Sequence, residues 1–339
     1  MKYRRIIALI LVFSMMISLA GCKSPISLVK GLFDKGDKAA SNIVTSSEVQ
    51  EEDIPLRDTV LYYKDDKGFL IPVMRKIPWT EGIAKATLAA LVDTPANRKD
   101  IEGIGLIPVI PANTEIRGMN ITNGLCRVDF TSDFLNYVSK EEEEALVKAV
   151  VYTLTEFITI DSVQIVIEGQ LHKNLKFGVK TDKPITRDNI NYVSTNPGNQ
   201  KVIVYYEGTI NGMETYYVPV TKTIEKADNT PVTVLDALDA LVEGPPSGLG
   251  LYSQIPKGTQ VLGVDVSNGV AYVNFNQEIK DLEKNQEVGQ EVAKAIALTV
   301  KEQYRDLTGV KILANGKEVD LGIGIEDEPV AVPTFANQY

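Results

Sequence analysis

Few groups in this chain are equipped to do chemistry. It holds one histidine, His172, and two cysteines, Cys22 and Cys126. A lone imidazole cannot build a histidine metal site by itself. His172 lies in GQLHKNLKFG, just after an expected strand, where a solvent-facing loop position is the plain reading. No GxSxG elbow, HExxH helix, Walker A loop or CxxC pair occurs. The Gly103-Ile104-Gly105 and Gly322-Ile323-Gly324 stretches lack the strand-turn-helix setting of a phosphate-cradling loop. The run Glu141 to Glu144 falls at the start of an expected helix, where the dipole favours acids; a functional acidic patch is the alternative reading. These residues point to no catalytic centre, no metal and no cofactor, and so to a protein that is not an enzyme.

The remaining reactive group is Cys22. The chain opens MKYRRIIALILVFSMMISLAGC, with Lys2, Arg4 and Arg5 ahead of an apolar run from Ile6 to Leu19. That is the layout of an export signal. Leu19-Ala20-Gly21-Cys22 resembles the bacterial lipobox, in which the cysteine thiol receives diacylglycerol and the chain is cleaved before it. The apolar run is shorter than the roughly 20 residues that usually span a bilayer, which favours processing over an uncleaved anchor. Residues 1–21 are therefore expected to be a lipoprotein signal, and Cys22 to hold the mature chain in the lipid bilayer. Several buried acyl chains suffice for stable anchoring. The expected location is the outer face of the cytoplasmic membrane.

Cleavage leaves 318 of the 339 residues and takes the net charge from −10 to −13. A mature chain this acidic, without a local basic stripe, is not a nucleic-acid binder. With Cys22 acylated, Cys126 has no partner for an intrachain disulfide. Residues 22–57 carry no sustained apolar period and read as a tether. Extended, it reaches on the order of 100 Å.

Past the tether the chain repeats itself. Val60-Leu61-Tyr62-Tyr63 matches Ile203-Val204-Tyr205-Tyr206, and Ile71-Pro72-Val73 matches Val218-Pro219-Val220. Ala90-Leu91-Val92 matches Ala240-Leu241-Val242, and Asn123-Gly124 matches Asn268-Gly269. Val128-Asp129-Phe130 matches Val273-Asn274-Phe275. The offset drifts only between 143 and 150 residues. Two copies are expected, at 58–180 and 200–325, joined by a link around TNPGNQ and followed by a tail at 326–339.

Each copy reads β-β-α-β-β-α-β. The first hairpin is followed by a helix with Ile83, Ala86, Thr87, Ala90 and Leu91 at helical spacing, which Thr94-Pro95 stops. In the second copy Thr230 is the expected cap, with Pro231 at the first helical position. The Asn-Gly pairs call for a type I′ hairpin. After them Cys126, Val128 and Phe130 alternate with Arg127 and Asp129, which puts a small buried thiol at Cys126. Ser139 with Glu142 marks the start of the second helix. The fold class is α+β: tandem copies of a small domain with helices packed on a mixed, largely open sheet. Asp129 faces Asn274 across the repeat, and Asp265 faces Asn120, so neither acid is duplicated. A hydrogen bond to a neighbouring turn or strand accounts for Asp129.

The notable aromatics are Tyr62, Tyr63, Tyr205, Tyr206, Tyr216 and Tyr217. Adjacent strand residues face opposite sides, so one of each pair is expected in the core. The other is expected on the open sheet, in cross-strand packing or as a candidate partner surface.

Paired strands with TyrTyr, an AlaLeuVal helix end before Pro95 or Pro245, the turns IPANT and IPKGT, an AsnGly hairpin and a ValAspPhe or ValAsnPhe strand resemble the GerMN domain. Tandem copies behind a lipobox resemble the spore germination protein GerM family. The likeness covers residues 58–325 and the lipoprotein signal; IPANT lacks the glycine that Gly258 supplies in IPKGT. The resemblance implies a non-enzymatic, membrane-anchored scaffold that acts in sporulation or germination and binds a protein complex in the envelope or intermembrane space. Two other readings remain open: a cell-wall or solute ligand-binding lipoprotein, which a deep polar cleft between the copies would favour, and a peptidoglycan-related envelope hydrolase.

Overall fold

The computed structural model describes residues 55–193, 198–210, 214–227, 230–322 and 328–338. The signal, Cys22, the tether up to residue 54 and residues 194–197 of the link lie outside them. Strand β1 (Leu56–Lys64) pairs antiparallel with β2 (Leu70–Pro78), with Tyr62 opposite Pro72. The strand starts inside the stretch read as tether, since Leu56 already pairs with Pro78. The Asp65 side chain closes the turn, accepting from the N–H groups of Lys67 at 3.0 Å and Phe69 at 2.7 Å. Helix α1 (Ile83–Ala89) follows and buries Ala84, Thr87 and Leu88.

Thr94-Pro95 does more than stop that helix. Thr94 is extended, as a residue before proline prefers, and its side chain accepts the N–H of Asn97. With Pro95 at the first position, that geometry starts a new helix, α2 (Pro95–Ile101), in the stretch read as a long loop. Hairpin β3 (Ile116–Thr122) and β4 (Leu125–Phe130) turns through Asn123 (φ 50°) and Gly124 (φ 77°), the pair of positive angles a type I′ turn requires. Helix α3 (Lys140–Leu154) is capped by the Ser139 side chain, and β5 (Ser162–Ile167) returns parallel to β4.

The second copy repeats this order with β6 (Gln200–Ile210), β7 (Glu214–Ile224), α4 (Val234–Val242), the short β8 (Leu251–Tyr252), β9 (Val261–Ser267), β10 (Val270–Phe275), α5 (Gln286–Lys301) and β11 (Gly309–Ala314). Two short strands, β12 (Lys317–Glu318) and β13 (Val330–Ala331), add to β11. The cap of α4 is Thr233, not Thr230. Its side chain and that of Asp236 satisfy each other's backbone N–H groups, and this reciprocal pair fixes the start three residues later than the proline suggested. The chain is thus two tandem α+β copies with helices packed on mixed sheets.

The outgoing strands place their apolar faces as the alternation requires. Cys126, Val128 and Phe130 are fully buried, as are Ala271, Val273 and Phe275. Burial pushes the Cys126 thiol up to about 11, which leaves it inert at neutral pH. One continuous apolar core runs through both copies, from Leu61 to Leu321.

Candidate functional site at the seam between the copies

The hairpin sheets are not open, and this corrects the reading of the tyrosines. Tyr62, Tyr63, Tyr205, Tyr206, Tyr216 and Tyr217 are all between 1% and 7% exposed. Tyr63, Tyr206 and Tyr216 join the main core. Tyr62 packs with Leu70, Ala149, Tyr152 and Ile190, and Tyr205 and Tyr217 pack with Ala295 and Leu298. The long helix of each copy lies along the outer edge of the first strand: Thr153 Oγ1 accepts the Tyr62 N–H at 3.1 Å, and Thr299 Oγ1 accepts the Tyr205 N–H at 3.0 Å. None of the six presents an open ring face as a partner surface; only the hydroxyl-bearing edges of Tyr62 and Tyr205 border a cavity.

The other polar residues of interest have structural duties. Asp129 Oδ1 accepts the Gly169 N–H at 2.9 Å, and Asn274 Oδ1 accepts the Gly316 N–H at 2.7 Å. Both residues tie the hairpin strand to the turn after the parallel strand. Glu143, fully buried within the acidic run, accepts from Tyr137 Oη and from the N–H groups of Phe177 and Val179. It pins the 176–179 loop to α3. His172 offers its backbone carbonyl to Thr181 Oγ1.

What the sequence left unread is the seam. Strands β2 and β7 face each other across the two copies, and each carries a central proline, Pro72 or Pro219, with no N–H to give. Two asparagines bridge the gap. Asn191 accepts the Leu70 N–H at 2.7 Å and donates to the Leu70 and Pro219 carbonyls, each at 2.8 Å. Asn337 accepts the Tyr217 N–H at 2.9 Å and donates to the Tyr217 and Pro72 carbonyls at 3.0 and 2.8 Å. Since Leu70 corresponds to Tyr217 and Pro72 to Pro219, the two sets of bonds are the same set related by a local two-fold axis. Residues read as a tail are therefore the final piece of the second repeat. Ile190-Asn191 against Ala336-Asn337 was the signal, at an offset of 146 within the range of the other matches.

Beside the seam lies a cavity of about 520 Å³, walled by both hairpins and by the C-terminal ends of α3 and α5. Two carboxylates enter it in matching positions. Glu156 accepts from Tyr62 Oη at 2.9 Å, and Glu302 accepts from Tyr205 Oη at 2.8 Å. Here the symmetry breaks. Arg187 forms an ion pair with Glu156, donates to Tyr62 Oη at 3.0 Å and Tyr152 O at 3.2 Å, and stacks 4.7 Å from the Tyr152 ring centre. Glu302 has no ion pair among the described residues. Desolvation pushes its carboxyl up, against lowering by Arg187 and by the Tyr205 hydroxyl. Among the described residues no group of three or more His, Cys, Asp or Glu could hold a metal, and no helix is long and apolar enough to cross a membrane.

Fold and seam together define a class: a duplicated α+β module fused into one body. A family model described as Germane, sporulation and spore germination, matches residues 60–173 and 203–320, and the chain belongs to that family. It is similar to the spore germination protein GerM of Bacillus subtilis (strain 168), at 30% identity over 316 residues, 90% of this chain and 82% of that protein. It is also similar to the solved tandem GerMN domains of the sporulation protein GerM from Bacillus subtilis, with a TM-score of 0.71 at 30% identity, covering 84% of this chain and 99% of that one. The first GerMN domain of that protein, solved alone, matches at 31% identity with a TM-score of 0.36, covering 39% of this chain and 98% of that one.

Proposed function

We propose that this protein is a lipid-anchored scaffold of the cell envelope that acts in spore formation or germination. In this reading residues 1–21 direct export, Cys22 is acylated and holds the chain on the outer face of the cytoplasmic membrane, and the tether sets its reach. The folded pair of modules binds a protein complex in the envelope or intermembrane space. Family membership supplies the setting. The observation that carries the scaffold role is the seam: six hydrogen bonds made by two asparagines tie the copies together as one adapter.

With the tyrosines buried, the partner surface moves to the sheet edges. Among the described residues strands β3 and β9 each pair on one side only, and a free edge can accept a further strand. Ile121 on β3 and Leu262 on β9 are 42% and 51% exposed. Affinity recovery with crosslinking from the native host, in growth and through spore formation, tests the reading. Ile121→Lys and Leu262→Lys should each reduce recovery of a partner seen during spore formation without lowering the melting temperature. Undiminished recovery by both variants would sink the edge as the contact. Recovery of the same partners in growing cells would move the protein to a general envelope role.

The ligand-binding reading gains support from the polar cavity between the copies. The hydrolase reading is the weaker, since each of the cavity's two glutamates is already bonded to a tyrosine hydroxyl. Glu207, whose carboxyl burial pushes up to about 7, is 1% exposed and sealed from any polymer.

A further inference from the structure

The two halves of the cavity are the same site in two states. In the first, the chain after copy one delivers Arg187, four residues before the seam asparagine Asn191. Its guanidinium joins Glu156, the Tyr62 hydroxyl and the last turn of α3. In the second, the chain after copy two delivers Pro333, four residues before Asn337. Glu302 and the Tyr205 hydroxyl are in place with no guanidinium between them. Leu298 stands where Tyr152 stacks on Arg187, so the second half offers no aromatic ring at that position. Lys301, in the position of Thr155, does not fill the gap. Its ammonium is held at 3.1 and 3.2 Å by the carbonyls of Pro333 and Thr334. Arg305 lines the cavity but lies beyond ion-pair distance of Glu302.

We propose that the Glu302 half of this cavity receives a guanidinium group from outside the chain, the side chain of an arginine presented by the protein partner. Copy one shows that a Glu-Tyr pair at the end of this helix binds a planar cation. A carboxylate with a free oxygen, a phenol oxygen and the negative end of α5 are complementary to its fork of donors. Lys301 and Arg305 also line the cavity, so the incoming group is selected by direct bonds to Glu302 and Tyr205 rather than by a net negative charge. The identity of the occupant rests on the scaffold reading above. The slot itself rests only on the internal comparison.

The test is calorimetric titration of the full-length lipidated protein in detergent with N-acetyl-argininamide, against the uncharged N-acetyl-citrullinamide. Saturable one-to-one binding on the order of 1 mM is expected for the first and none for the second. Glu302→Gln should weaken it about tenfold or more. Pro333→Arg supplies the missing guanidinium from within; it should abolish binding and raise the melting temperature by a few degrees, about what one charge-assisted bond contributes. No saturable heat in the parent, equal binding by Glu302→Gln, or unaltered binding by Pro333→Arg would each overturn the proposal. If the parent titrates as expected but no protein partner is recovered from the native host at any stage, the scaffold reading is overturned and the slot stands.

Discussion

The two copies solve the same folding problems with different residues, and the differences separate what the fold demands from what it merely permits. The end of the first helix shows this. In copy one the Asn97 amide, brought by α2, donates to the Ala89 and Val92 carbonyls at 2.9 and 2.7 Å. Among the described residues copy two has no such helix. There Lys222 reaches in from β7, 2% exposed, and donates to the Ala240 and Gly244 carbonyls at 3.0 and 3.1 Å, with Glu243 as counter-ion. Orphan carbonyls at a helix end must be met; the group that meets them is free to change. The seam is the opposite case. Both copies use asparagine there, because only a short amide can accept from an N–H and donate to two carbonyls at once.

The seam should accordingly give the largest effect. Asn337→Ala orphans a buried N–H and two carbonyls, and a loss of about 4 kcal/mol is expected in chemical denaturation. Asn191→Ala breaks the same three bonds but at a partly exposed position where water can replace them, so its cost should be about half. Equal losses would break the comparison and place the strength of the seam in backbone packing alone.

Glu207 ranks next. It occupies the position that Lys64 holds in copy one, yet it is buried, and one of its carboxylate oxygens has no partner. Burial, with Glu291 adding to it and a Gln254 hydrogen bond opposing, pushes it up to about 7. The folded state therefore holds a proton that the unfolded chain releases near its ordinary 4.5. Stability from this group is full below about pH 4.5 and is lost as pH rises through about 7. Glu207→Gln should match the parent at pH 4 and exceed it at pH 8 by up to about 3 kcal/mol. A constant difference across that range would show that Glu207 does not titrate there.

Much of this architecture was legible, and the reasons are local. Tyr62-Tyr63, Asn123-Gly124 and Val128-Asp129-Phe130 each report their own backbone state through periodicity or positive φ, so the repeat and its element order could be read. What escaped reading depends on contacts distant in sequence. Nothing near Tyr62 announces that α3 will cover its edge 91 residues later. Nor does the weak periodicity after Asp320 announce that Asn337 returns to Pro72, 265 residues away. The cavity was equally hidden, since its two glutamates lie on different copies and Arg187 falls outside both strands and helices. Only the Arg187-to-Pro333 difference was visible in principle, and it becomes meaningful once Asn191 and Asn337 align the two segments.

Lys222→Met removes the buried ammonium, while Tyr206 Oη, 2.7 and 2.8 Å from the Ala240 and Gly244 carbonyls, can still give its one proton to either of them. Its counter-ion Glu243 has a side chain 55% exposed and can turn to water. The cost should be about 2 kcal/mol, against about 1 kcal/mol for Asn97→Ala in copy one. A larger cost for the asparagine would mean that α2, rather than the cap, stabilises that end.

Asp129→Asn should do least. The position needs one acceptor for the Gly169 N–H, and Asn274 already serves the matching Gly316 with an amide oxygen. The carboxylate adds an exposed contact to Arg117 at 3.6 Å, and Arg117 keeps Glu168 at 2.8 Å when it goes. Screened surface pairs of this kind are worth little. The variant should therefore lie within about 0.5 kcal/mol of the parent by denaturation. Asp129→Ala, which leaves the Gly169 N–H to solvent, should cost about 1 kcal/mol. If the asparagine variant lost as much as the alanine one, the charge and not the acceptor would be the requirement in copy one, and the two hairpins would no longer be equivalent at this position.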